Sequence, residues 1–156
     1  MDVRTVDETV LREAVGSWSE WLRQLANGID DRPVEPNRET KSSGSEITYS
    51  QDLTDILEIR QEIDEMARDA AAWLERTQLL CRTVTIKVRY SDFTTITRSH
   101  STTPATRDAE DIAQRAVKLL DRTDAATRPV RLLGVSVHNL EDPSAPFDPE
   151  EPLLPF

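Results

Sequence analysis

A chain of 156 residues has room for one or two small domains, and an apolar share of 37% can supply one modest core. No apolar run approaches the roughly 18 residues that span a bilayer, no leader is evident, and a single cysteine, Cys81, excludes an internal disulfide and a multi-cysteine zinc site. The net charge is −10, yet residues 81–131 hold 10 Lys and Arg against 6 Asp and Glu. Scattered surface charge would give the same counts, so this block alone does not predict a basic face.

The first predicted elements are helical. Apolar residues recur at three- and four-residue steps over residues 7–27, and Gly16 with its neighbouring serines interrupts them, which predicts two short helices around a tight turn. We expect Trp18 and Trp21 in the core of this segment, which covers residues 1–28. Residues 29–41 contain two prolines and few apolar side chains, so they are predicted to be a linker.

Six elements follow the linker. The pattern predicts a strand over 42–49, a long helix that Asp52 can cap, strands over 82–90 and 93–101, a helix that Thr106 can cap, and a strand over 130–140. The order β-α-β-β-α-β predicts an α+β domain over residues 42–140, with one four-stranded antiparallel sheet and both helices on one face. Residues 141–156 are acidic and proline-rich, which predicts a disordered tail.

The strand over 82–90 carries the first functional signal. Its apolar residues alternate with Thr83, Thr85, Lys87 and Arg89, which therefore line the sheet face that the helices leave open. Hydroxyls and cations suit contacts with backbone phosphates, which carry no sequence information. RNA-recognition modules share this order of elements but expose aromatic residues on their central strands. The face thus favours duplex binding, and a stand-alone RNA-binding module is the alternative.

Three segments then become specific: residues 26–46 (ANGIDDRPVEPNRETKSSGSE), residues 82–93 (RTVTIKVRYSDF) with the following Thr97-Arg98-Ser99, and residues 129–136 (PVRLLGVS). They resemble, in this order, the thumb-to-little-finger junction, the central strands and the last strand of the little finger in Y-family translesion DNA polymerases of the DNA polymerase IV type. Together the matches cover roughly residues 8–140.

The resemblance implies a DNA-repair role in a bacterial cytoplasm, with the little finger along the major groove of primer-template DNA. The DNA contacts that it implies are Lys41, Ser42, Ser43, Gly44, Lys87, Arg89, Thr97, Arg98, Ser99 and Arg131. Strand alternation alone adds Thr83 and Thr85. Arg131 shares its strand phase with Leu133, so it needs a bulge or an edge position to point outward.

The final residues, Pro152 to Phe156 (PLLPF), resemble the peptide with which bacterial polymerases dock the sliding clamp. Its apolar anchors would be Leu153, Leu154 and Phe156. An interaction module that mainly binds the clamp is therefore a second alternative.

Nothing in the sequence resembles the palm, whose carboxylates hold magnesium for phosphoryl transfer in that family. We accordingly expect no catalytic residue, metal site or cofactor in this chain, with magnesium needed only by the full-length polymerase. Primer extension would require a separate chain that carries the palm and fingers.

Overall fold

The computed structural model describes residues 2–36 and 38–144. The chain divides into two units, Met1–Arg38 and Glu39–Phe156. The predicted clamp anchors Leu153, Leu154 and Phe156 lie outside the described residues. No helix in the described part of the chain is long and apolar enough to cross a membrane.

The first unit contains two short helices, α1 (Glu8–Val15) and α2 (Ser19–Ala26), joined by a 3-10 turn at Gly16–Trp18. Asp7 caps α1, because its carboxylate accepts a hydrogen bond of 2.8 Å from the Thr9 amide. Gly16 has a φ of 60°, a left-handed conformation that suits glycine and lets the chain turn. The predicted pair of helices is confirmed. The core position predicted for Trp18 is wrong, since its side chain is 61% exposed and meets the Trp21 ring edge-on.

The second unit is built on a four-stranded sheet. Its elements are β1 (Ser42–Leu53), α3 (Ile56–Thr77), β2 (Leu80–Tyr90), β3 (Thr95–Thr106), α4 (Ala109–Leu120) and β4 (Val130–Glu141). The strands lie in the order β1-β4-β2-β3, and every neighbouring pair is antiparallel. The predicted α+β class and element order are confirmed.

The two helices begin later than their predicted caps. Asp52 belongs to β1, which continues to Leu53, and Asp55 instead accepts the Leu57 amide at the start of α3. Thr106 likewise ends β3, and the next helix is capped by Asp108. In both places the strand is longer than its alternating apolar residues predict. The reason is that pairing with the neighbouring strand resumes after an irregular stretch.

Both helices cover the same face of the sheet. Apolar residues of the strands, such as Ile86 and Val135, form one core with Ile63 of α3 and Ile112 of α4. This cluster includes Cys81, and burial raises the pKa of its thiol to about 11. A thiol with such a pKa stays protonated near neutral pH and serves as a small packing group.

One charged side chain is buried beside this core. Arg115 of α4 is 5% exposed and donates hydrogen bonds of 2.6 and 2.7 Å to the carbonyl oxygens of Arg82 and His100. Arg82 lies within the irregular stretch between Cys81 and Thr83 in the β2–β3 ladder, and His100 pairs with Val84 just beyond it. Arg115 therefore ties α4 to the backbone of both β2 and β3 through hydrogen bonds to their carbonyl oxygens.

Candidate nucleic-acid interface

The sheet face opposite the helices, here called the open face, takes four residues from each strand. Residues that lie directly opposite each other in an antiparallel ladder point to the same side, so the register identifies them. The outer strand β1 contributes Ser42, Gly44, Glu46 and Thr48, and its neighbour β4 contributes His138, Ser136, Gly134 and Leu132. The next strand, β2, contributes Thr83, Thr85, Lys87 and Arg89, and β3 contributes Ser101, Ser99, Thr97 and Thr95. Most are hydroxyl residues or glycine, and none is Phe, Tyr or Trp.

Lys87 is held at the centre of the open face by an ion pair. Its Nζ lies 2.8 and 3.0 Å from the two carboxylate oxygens of Glu46. The pair crosses over β4 at Gly134, where a Cβ would lie only 2.8 Å from the Cγ of Glu46. Glycine at position 134 thus leaves the space in which the pair forms, and Glu46 offsets the charge that Lys87 contributes.

Arg89 is held differently. Its Nε donates a hydrogen bond of 2.8 Å to the Thr95 hydroxyl, and it forms no ion pair within residues 2–36 and 38–144. Its charge is therefore not offset by a carboxylate contact of its own, and its guanidinium keeps further N–H donors for a ligand.

Hydroxyl pairs join β2 to β3 along the same face. The side-chain oxygens of Thr83 and Ser101 are 2.8 Å apart, and those of Thr85 and Ser99 are 2.9 Å apart. Each hydroxyl has one hydrogen and two acceptor lone pairs. Thr83, a predicted DNA contact, is only 8% exposed, so Thr85, Ser99 and Ser101 are the hydroxyls of this row that a phosphate backbone could reach.

The structure separates Arg98 and Ser43 from the open face. Arg98 pairs with the buried Ile86, so its side chain lies on the helix side of the sheet. There its Nε donates a hydrogen bond of 2.9 Å to the Arg122 carbonyl. Ser43 pairs with the buried Val137 and is also on that side. Lys41 is exposed and precedes β1. Thr97 and Ser99, which flank Arg98 in sequence, do lie on the open face.

Gly44 packs against the neighbouring strand. A Cβ at this position would lie 2.6 Å from the Cβ of Ser136 and 2.8 Å from the carbonyl oxygen of Val135. The glycine therefore permits the close approach of β1 to β4, in addition to any contact that it makes with a ligand.

Arg131 lies at the irregularity that its outward position requires. Arg89 pairs with Leu132 and Tyr90 with Val130, so Arg131 has no partner on β2. Its guanidinium lies 5.1 Å from the centre of the Phe93 ring and 3.5 Å from a carboxylate oxygen of Asp52. Arg131 is thus placed at the end of the open face, beside the hairpin that joins β2 to β3.

No group of three His, Cys, Asp or Glu side chains that could hold a metal ion occurs among the residues that the structure describes. The open face itself offers hydroxyls, two cations, the Glu46 carboxylate and the His138 imidazole.

Comparison with known proteins decides the family. The sequence model described as the impB/mucB/samB family C-terminal domain matches residues 40–148. The chain belongs to this family. The matched range contains the whole four-stranded sheet, so the open face is a surface of the impB/mucB/samB C-terminal domain.

Individual relatives are DNA polymerases IV. The chain is 45% identical to that of Alkalilimnicola ehrlichii over 139 residues, which is 89% of this chain and 39% of the relative. It is 43% identical to that of Halorhodospira halophila over 127 residues, which is 81% of this chain and 36% of the relative. The chain therefore spans less than two-fifths of the length of these relatives and corresponds to the C-terminal part of a Y-family polymerase of the DNA polymerase IV type.

Several open-face residues were not among the sequence candidates, notably Glu46, Ser136 and His138. Ser136 and His138 are hydrogen-bonded to each other at 2.8 Å on β4. Their alternation with Val135 and Val137 was visible in the sequence. What the sequence did not reveal was that β4 lies between β1 and β2, which places them at the centre of the face.

Proposed function

We propose that the second unit grips double-stranded DNA with its open face, as the little finger of a translesion polymerase of the DNA polymerase IV type. In this proposal the unit holds primer-template duplex mainly through phosphates, while nucleotide addition depends on a palm and fingers. Those catalytic parts would bring the magnesium ions that phosphoryl transfer uses.

The observation that carries the proposal is the composition of the open face. Hydroxyl residues and glycines have short side chains, so a ligand can come close to the sheet. Lys87 and Arg89 supply positive charge on β2. These are the groups that contact phosphate and sugar without reading the base sequence. Membership of a family whose relatives are named DNA polymerase IV supports DNA as the ligand.

A competing function is binding of single-stranded RNA on the same sheet. Modules of that kind stack bases on aromatic side chains of their central strands. The register places no Phe, Tyr or Trp on this open face, and its one imidazole, His138, is hydrogen-bonded to Ser136 at 2.8 Å. The test is competition between duplex DNA and single-stranded RNA of the same sequence for the purified chain at low salt. We expect duplex DNA to displace the RNA, and stronger binding of the RNA would contradict the proposal.

We also propose that Leu153, Leu154 and Phe156 dock the bacterial sliding clamp, which is supported by the resemblance of PLLPF to clamp-binding peptides. Replacing all three with alanine should abolish clamp binding in a pull-down or by surface plasmon resonance, because an apolar pocket loses its anchors. The matched control is alanine at Pro152 and Pro155. Unchanged clamp affinity of the triple variant would show that the motif has no such role.

A further inference from the structure

The hairpin between β2 and β3 exposes an aromatic residue in an unusual conformation. The Phe93 amide donates a hydrogen bond of 2.9 Å to the Tyr90 carbonyl, which closes a tight turn. Phe93 has a φ of 66°, in the left-handed region where glycine and asparagine are favoured and bulky residues are rare. Its side chain is nevertheless 65% exposed, so burial does not offset the strain. Folding alone would favour a different residue here, which makes a ligand-binding role the better explanation.

The surroundings of Phe93 connect it to the open face. The Arg131 guanidinium lies 5.1 Å from the ring centre. Arg89, the cation of the open face without an ion pair among the described residues, donates a hydrogen bond to Thr95, two residues after Phe93. The Phe93 ring, with Arg131 beside it, therefore lies at the hairpin end of the open face, where Arg89 is the last open-face residue of β2.

The acidic groups near the tip are already engaged. Asp52 faces Arg131 at 3.5 Å. Asp92 accepts a hydrogen bond of 3.0 Å from the Thr94 amide and forms an ion pair with Arg128 at 2.7 Å. These bonds, the Thr94 amide first, hold the pKa of Asp92 below its ordinary value, so the carboxylate stays charged and fixes the turn. The turn thus presents the Phe93 ring from a fixed backbone.

We propose that Phe93, backed by Arg131, stacks on an unpaired base where duplex DNA on the open face continues as a single strand. Base pairs in the interior of a duplex are already stacked on both sides, so an exposed ring finds a free base face only at the duplex end or on an unpaired base. Aromatic side chains beside cations bind single strands in this way and tolerate any base. The tip would supply an exposed phenyl ring, whereas the only ring on the open face is the His138 imidazole. The inference rests on the proposed duplex binding.

The test uses fluorescence anisotropy to compare a blunt duplex with two extended versions of it. One version carries a single-stranded extension at one end, and the other carries it at the opposite end. The parent chain should bind the better of the two extended duplexes about ten-fold more tightly than the blunt one, as one stacked base would give. Phe93→Asn should remove this preference without changing binding to the blunt duplex. Its melting temperature should not fall, because asparagine tolerates a positive φ. Phe93→Tyr, which keeps the ring, should retain the preference.

Each result separates this inference from the proposed function. Failure of the parent to bind blunt duplex at low salt would contradict duplex gripping, whatever happens at position 93. Equal affinity of the parent for blunt and extended DNA would overturn the stacking role, as would a preference that survives Phe93→Asn. An equal loss on both DNAs in Phe93→Asn would make Phe93 a duplex contact and would also overturn it.

Discussion

At the scale of single residues, the two cations of the open face differ in what holds them. Lys87 is 32% exposed and Glu46 is 49% exposed, so their ion pair is partly shielded at the centre of the sheet. Arg89 is hydrogen-bonded only to a neutral hydroxyl in the described part of the chain. A phosphate that approaches Lys87 must compete with a carboxylate already in place, whereas one that approaches Arg89 meets no such competitor. Arg89 is therefore expected to contribute more to DNA affinity than Lys87.

Glu46 is consequently predicted to limit DNA binding. Glu46→Gln removes the carboxylate from Lys87 and should raise duplex affinity by about 1.4- to five-fold, the range that corresponds to the ~0.2–1 kcal/mol of an exposed ion pair. Glu58→Gln is the matched control, because Glu58 is exposed on α3 and the change in net charge is the same. Titrations of both variants against one duplex at low salt check the prediction. Equal gains would show that net charge alone matters.

At the scale of elements, the pairing of β1 with β4 depends on a glycine. Gly44→Ala would force its Cβ against Ser136 and the Val135 carbonyl, at 2.6 and 2.8 Å. Such overpacking should lower the free energy of unfolding by about 1–3 kcal/mol in urea denaturation. Ser42→Ala, on the same strand and face, should change it by less than about 0.5 kcal/mol. A Gly44→Ala variant as stable as the parent would indicate that β1 is not held as described.

The elements also show what the sequence can and cannot predict. Alternation in β2 identified Thr83, Thr85, Lys87 and Arg89 correctly as one face, because side-chain direction in a strand is a local property. The same rule, applied to β3, would have separated Arg98 from its neighbours Thr97 and Ser99. The resemblance to little fingers grouped all three.

Features that depend on the order of the strands in the sheet could not be predicted from the sequence. Glu46 and Lys87 are 41 residues apart in sequence and meet only because β4, with Gly134, lies between their strands. The predicted helix caps were wrong for a related reason. Asp52 is a suitable cap by residue type, but it is held in β1 by tertiary pairing that resumes at Leu53 and Val130.

At the scale of the whole molecule, an acidic chain is proposed to bind a polyanion. The net charge of −10 opposes association at long range, while the open face offers phosphates a local concentration of hydroxyls with two cations. Screening by salt weakens both the repulsion and the contacts, so the sign of the salt dependence reports which of them dominates. Tightly held phosphates would make affinity fall as salt rises.

The most direct test of the central claim is the salt dependence of duplex binding by the parent chain, Arg89→Ala and Arg98→Ala. Both variants lose one arginine, but only Arg89 lies on the open face. Each phosphate contact contributes about −0.9 to the slope of log K against log salt. Arg89→Ala should therefore weaken binding to every duplex sequence and flatten the slope by about one unit, while Arg98→Ala keeps the parent's slope. Equal slopes for the parent and Arg89→Ala, or a loss confined to Arg98→Ala, would contradict DNA binding by the open face.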